Sequence, residues 1–206
     1  LQQAYDEKAL TGSTMGSFLG EAQQSITLLV NNLDQASNLI SSFKQVAVDQ
    51  ASEAEREINL KEYLHEIIQS IAPSLKKSQH IINISCPDNI TIHCAPGLLA
   101  QIFTNMVMNS LIHGFEHMPK GTIDINISKN HGLLTIDYQD NGKGLPGDSL
   151  AKHFDAFYTA KGSRSGSGLG TRIMYNLVTQ TLKGNIKVFS QPDKGLHYIL
   201  TVPVNS

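Results

Sequence analysis

Four groups of residues in this sequence have types and spacings that suit chemistry. The first is Asn105-Met106-Val107-Met108-Asn109, two amides four residues apart in an otherwise apolar run. On a helix that spacing puts both on one face, one turn from each other. Asparagine is a poor helix former, so two of them there need a reason. Its carbonyl oxygen is a hard, neutral ligand suited to a Mg²⁺ that already carries phosphate oxygens and water. Standing alone, the pair reads first as exposed or capped amides. His113 falls one turn further on and could face the same pocket. The second group is Asp140-Asn141-Gly142-Lys143-Gly144, after a strand-like run. Asp140 can accept a hydrogen bond from an exocyclic amine, and glycines at 142 and 144 permit tight backbone and close approach of a ligand. Taken alone, this is also an ordinary Asp-Asn-Gly turn. The third is Phe154 with Phe157, which alone reads as core packing. The fourth is Gly166-Ser167-Gly168-Leu169-Gly170, ahead of a helix. Free N–H groups and the helix dipole there favour phosphate; a flexible linker is the alternative. The loop comes too late in the chain for a Rossmann turn, and it has no Gly-Lys-Ser/Thr ending, which excludes a P-loop.

These residues need elements to hold them. Residues 57–206 read as an α+β body, a two-layer sandwich of helices on a mixed, largely antiparallel sheet. The expected elements are a helix over 60–76 that Pro73 kinks or ends, and strand-like runs at 81–86 and 90–93. A helix follows from Pro96 to Phe115 with Pro in its first turn, then alternating strands at 122–128 and 133–139. A helix from about Leu169 to Lys183 leads to strands at 185–190 and 198–202. Residues 1–56 read as a helical front end. Ala22, Ile26, Leu29, Leu33, Ala36, Ile40, Phe43 and Ala47 form an apolar heptad, widened by Leu28, Leu39 and Val46. The helix predicted over 21–54 would be about 50 Å long and cannot bury that stripe alone. A dimerising hairpin is the preferred reading, with a single helix packed on its own domain as the other. Residues 11–14, Thr-Gly-Ser-Thr, mark a helix end, a loop and a new N-terminus.

Composition removes several function classes. Sixteen Lys/Arg against eighteen Asp/Glu give a net charge of −2. That gives no support to a nucleic-acid partner held by bulk charge. Charged residues are 17%, below the usual level of about 25%, while 40% apolar content supplies a core and argues against disorder. No apolar stretch is long enough to span a membrane, and no secretory signal is present. Two cysteines, Cys86 and Cys94, make no disulfide framework and suggest reduced thiols in a cytoplasmic compartment. The absent initiator methionine suggests a piece of a longer protein, one that segments outside this chain could anchor to a membrane.

The order of the four groups resembles the ATP-binding catalytic domain of sensor histidine kinases, in the superfamily shared with gyrase, the MutL repair proteins and the heat-shock chaperone ATPases. The resemblance covers about residues 58–204. The front end, through Leu39-Ile40-Ser41-Ser42-Phe43-Lys44, is similar to the second helix of the kinase dimerisation hairpin. The resemblance implies ATP and Mg²⁺ as cofactors. Asn109 would hold Mg²⁺ on the phosphates with Asn105 beside it, and these two with Lys161 would be the catalytic set. Asp140 would read the adenine amine, with Gly142 and Gly144 shaping that wall and His113 nearby. Phe154 and Phe157 would anchor a lid over about 159–167, bringing Lys161 or Arg164 to phosphate. Gly166, Ser167, Gly168, Leu169, Gly170 and Thr171 would form the phosphate-side loop, with Thr171 where the family often has a second leucine. The short, Gly/Ser-rich lid is expected to be disordered without ligand.

The same resemblance bears on reaction type. Hydrolysing relatives place Glu four residues before the metal-binding Asn, as a base for water. Asn105 has no basic function there, so transfer is expected and ATP hydrolysis should be very slow. The acceptor segment, His-Glu-x-x-Thr-Pro, is absent; His65-Glu66 lacks the Thr-Pro and reads as a solvated or packing histidine. The acceptor is expected upstream of Leu1, and this chain is not expected to phosphorylate itself. The implied partners are a second copy through the N-terminal helix and the receiver domain of a response regulator, in a two-component system. The competing readings are an ATP-hydrolysing clamp and a non-catalytic dimerisation scaffold.

Overall fold

The computed structural model describes residues 11–52, 55–75, 79–155 and 168–204, with only the backbone of 14, 34–52 and 72–75. The chain divides into two units, Leu1–Lys44 and Gln45–Ser206. Helix α1 spans Gly12–Ser52, 41 residues, or about 60 Å at 1.5 Å per residue. It starts nine residues ahead of the expected position. Gly12, Gly16 and Gly20 weaken that stretch by about 1 kcal/mol each relative to Ala and hide it from a propensity reading. Met15, Phe18 and Leu19 nevertheless carry the 3–4 apolar step back towards Gly12. These three, with Ile26, Leu28, Leu29, Val30 and Leu33, are exposed.

After α1 comes a strand absent from the sequence reading, β1 (Arg56–Asn59). The Asn59 carboxamide oxygen then accepts from the backbone N–H of Glu62 at 3.1 Å and caps helix α2, Leu60–Leu75. Leu60, Leu64, Ile67 and Ile71 form the buried stripe of α2. Pro73 does not stop the helix at once; it runs two residues further, as a proline in a last turn permits. Next come β2 (Ile81–Ser85) and β3 (Thr91–Cys94). Helix α3, Pro96–Asn109, buries Leu99, Ile102, Phe103, Met106 and Val107, worth about 1.5–3 kcal/mol per fully buried side chain. The α-helix expected as far as Phe115 instead changes at Ser110 into a π-helical turn, Ser110–Gly114. Strands β4 (Thr122–Asn130) and β5 (Leu133–Asp140) form a hairpin, and a short helix α4, Gly147–Ala151, follows. Helix α5, Gly170–Asn176, also ends in a π-turn, Leu177–Thr181, before β6 (Asn185–Ser190) and β7 (Leu196–Pro203).

β1 pairs antiparallel with β3, Ile58 opposite Ile92. The other five strands form one mixed sheet in the order β2-β4-β5-β7-β6. Only its β2–β4 pair is parallel. Alternation sends Ile123, Ile125 and Ile127 of β4 into the core and leaves Asp124, Asn126 and Ser128 outside. The core is one cluster that joins this sheet face to the helices. The fold is therefore the expected α+β sandwich. On β5 the inward parity reads Leu134, Ile136, Tyr138, Asp140. Period two thus carries a carboxylate into the interior at the strand's last residue.

Candidate functional site

Asn105 and Asn109 lie on α3 one turn apart, just before its geometry changes. Both side-chain Nδ2 atoms are buried with no hydrogen-bond partner among the described residues, a costly state for an amide unless a ligand meets it. Their oxygens converge on the first residue of α5. A Cβ added to Gly170 would lie 3.2 Å from Asn105 Oδ1 and 4.0 Å from Asn109 Oδ1. The structure thus brings the Asn pair and Gly170, 61 residues beyond Asn109 in sequence, to one place.

Asp140 is 4% exposed. It accepts from Ser110 Oγ at 2.5 Å, from Gly142 N–H at 2.9 Å and from Leu196 N–H at 3.1 Å. The strand exit is pinned too: Thr122 N–H donates to Asn141 Oδ1 at 2.7 Å, and Asn141 N–H donates to Thr122 O at 3.1 Å. Gly142 must be glycine, because a Cβ there would stand 2.6 Å from the Gly114 carbonyl oxygen. That contact packs the strand exit on the π-turn, where Lys143 N–H also donates to Gly114 O at 2.9 Å. Gly144 has φ +64°, and its Cβ would lie 2.0 Å from Gln191 O, so it too admits no side chain. His113, half-buried in the π-turn, has its pKa lowered by burial and by the nearby Lys143 charge, with Glu116 opposing. Lys143 Nζ reaches Glu116 at 2.6 Å across the surface.

Phe154 packs against the core, its ring 5.0 Å from that of Tyr175 and 5.2 Å from that of His153. That is how the residue reads when taken alone. Gly168, with φ +66°, and half-buried Leu169 lead into α5, where Thr171 is half-buried as well. Phe157, Lys161, Arg164, Gly166 and Ser167, and with them the whole expected lid, lie outside the described residues. His65 is exposed, its Nδ1 2.7 Å from Lys61 O in its own helix, as a solvated histidine would be.

Sequence reasoning missed the residues that hold Asp140: Ser110, Tyr138, Gly114 and the N–H of Leu196. Tyr138 Oη lies 2.7 Å from Ser110 Oγ and 3.1 Å from Met106 O. The signal available was Tyr138 at the inward parity of β5, because a buried tyrosine hydroxyl needs a partner.

The donor set can be tested against the implied cation. Among the described residues no cluster of His, Cys, Asp or Glu could hold a metal by itself. Two neutral amide oxygens fit a Mg²⁺ that brings most of its oxygens with a phosphorylated ligand. The orphaned Nδ2 groups suit phosphate oxygens as acceptors.

Comparison with known proteins gives the same direction. The chain is 26% identical over 187 residues to the sensor histidine kinase ZraS of Escherichia coli (strain K12), across 90% of this chain and 39% of that protein. It is 28% identical over 194 residues to sporulation kinase E of Bacillus subtilis (strain 168), across 92% of this chain and 25% of that protein. It thus spans less than two fifths of the length of these curated relatives. A full-length ShkA structure in complex with AMPPNP shares the fold, with a TM-score of 0.66 at 20% identity over 90% of this chain and 39% of that one. Residues 94–206 match the family described as histidine kinase-, DNA gyrase B- and HSP90-like ATPase. That stretch contains the Asn pair, the Asp140 cradle and α5 and is more than half of the chain, so the chain belongs to this ATPase family.

Proposed function

We propose that this chain is the ATP-binding and dimerisation portion of a sensor histidine kinase. Residues 1–56 would form the partial dimerisation hairpin and 57–206 the catalytic body. The observation that carries the reading is the pair of orphaned amides, Asn105 and Asn109, facing the head of α5. The Asp140 carboxylate lies beside the π-turn that follows the pair, held by Ser110, ready to accept from the adenine amine. Mg²⁺, when bound, would offset phosphate charge. The protein's own part is to position. Asn109 and Asn105 hold the phosphate end, Asp140 holds the base, and Lys161 or Arg164 from residues 159–167 closes on the phosphates. The γ-phosphorus then leaves the β-phosphate oxygen, which departs with ADP, and bonds to a histidine nitrogen on a dimerisation helix outside these 206 residues. A response-regulator aspartate receives it afterwards. Asn105, an amide where a hydrolysing site needs a base, favours transfer over hydrolysis.

Titration calorimetry with a non-hydrolysable ATP analogue tests this. Binding should strengthen with Mg²⁺, and Asn109→Ala should remove that Mg²⁺ dependence while leaving thermal stability near that of the unaltered chain. Binding that ignores Mg²⁺, or ATP turnover of about 1 s⁻¹ or faster lost on Asn109→Ala, would sink the kinase reading.

A further inference from the structure

Two buried polar side chains at the site have no role in the reading above. Ser110 is 3% exposed and Tyr138 is fully buried. Ser110 has one proton to give, and Asp140 Oδ2 at 2.5 Å is the charged acceptor for it. Tyr138 Oη, 2.7 Å from Ser110 Oγ, then shares its one proton between that oxygen and Met106 O at 3.1 Å. The chain of donors runs one way, from Tyr138 to Ser110 to Asp140.

The acceptor count follows. An ionised carboxylate offers about four lone-pair sites and no donor. Gly142 N–H and Leu196 N–H occupy Oδ1. Ser110 occupies one site on Oδ2. One site remains, on Oδ2, and its direction is set by the hydroxyl that holds the other. Nothing else in the described contacts of Asp140 holds Oδ2, and rotation about a terminal carboxylate bond is soft.

We propose that Ser110, held in turn by Tyr138, is a positioning residue that confines Asp140 to a single acceptor direction and so makes the pocket reject 6-oxopurine nucleotides in favour of 6-aminopurine ones. The inference rests on the ATP reading of this site. A 6-amino group brings an N–H to the one open acceptor. A 6-oxo group brings an acceptor against an acceptor, and a site built to hydrogen-bond a donor rejects its absence strongly. Without the Ser110 hydroxyl, Oδ2 has two open sites and a vacated space of hydroxyl size. The carboxylate can tilt there, and a water can donate to Oδ2 with one proton and to a 6-oxo group with the other.

The test uses the full 206-residue chain and two probes, ADP and IDP, which differ in the purine at C6 and its adjoining ring nitrogen. Calorimetry on the unaltered chain should show a clear preference for ADP. Ser110→Ala should narrow the ADP/IDP ratio by about tenfold or more, the equivalent of one charge-assisted hydrogen bond. Ser110→Thr, which keeps the hydroxyl, should hold the ratio near its original value. Tyr138→Phe keeps the ring and removes the donor behind Ser110; it should narrow the ratio in the same sense, and it carries the test if Ser110→Ala does not fold. A general loosening would weaken both nucleotides equally, so equal losses, or an unchanged ratio in both variants, overturn the proposal. An unaltered chain that binds neither nucleotide overturns the ATP reading itself, and this inference with it.

Discussion

His153 stands just before the segment expected to form the lid, on the turn that follows α4, and is half-buried. Its Nε2 is hydrogen-bonded to the Tyr198 hydroxyl, and its ring lies against those of Phe154 and Tyr198. Burial lowers its pKa from 6.5 to about 4. The unfolded chain therefore takes a proton on this histidine that the folded chain refuses, and stability depends on pH between those two values. The contribution is complete above pH 6.5 and is lost as the pH falls towards 4, up to about 3 kcal/mol in all. His80 and His113 have pKa values lowered by burial and act in the same direction. The melting temperature should hold between pH 7 and 8 and fall steadily from pH 6.5 to 5. His153→Leu should flatten part of that slope; an unchanged acid slope in the variant contradicts the assignment. At this scale the sequence was readable where the signal was local. Asn105 with Asn109, and Asp140 with Gly142, lie within a few residues of each other. Ser110 lies 30 residues from Asp140 and Leu196 lies 56 away, and no local pattern connects them.

The elements show which side chains the geometry forbids. Gly142 joins the end of β5 to the π-turn after α3, with backbone on both sides of the contact. Gly142→Ala forces those two apart; overpacking of this kind costs about 1–3 kcal/mol. It should lower the melting temperature and, because it moves the turn beside Asp140, weaken ADP binding as well. Gly147→Ala is the control, since a Cβ there meets nothing within 4 Å, and it should do neither. The π-turns themselves were not legible. The apolar pattern of residues 96–115 continues through Ser110–Gly114, and a change from i→i−4 to the i→i−5 bond of Phe115 N–H to Ser110 O leaves no mark in hydrophobic spacing. Strand β1 was hidden for another reason. Arg56-Glu57-Ile58-Asn59 is short and charged, and its partner β3 lies about 35 residues on. The long strands β4, β5 and β7 were legible because one face is dry and the other wet.

For the whole molecule the question is what covers α1. Exposed Ile26, Leu29 and Leu33 repeat at steps of three and four, and Met15, Phe18 and Leu19 extend the band. The proposed cover is a second copy of this chain. Sedimentation should give a mass that rises with concentration towards twice 22.5 kDa. Leu29→Glu with Leu33→Glu should leave a single mass of one chain and an unchanged body melting transition; dimers that persist in the double variant would refute the role given to this stripe. Among the described helices none is long and apolar enough to cross a membrane. The two thiols have a separate consequence. Cys86 and Cys94 are the only cysteines of the chain, both are buried thiols outside any disulfide, and burial raises the Cys86 pKa. Cys86 directly follows β2 and Cys94 is the last residue of β3, so an alkylating reagent reaches either one only while that region opens. The labelling rate is then a clock for opening of the catalytic body, and any nucleotide that binds the closed state should slow it.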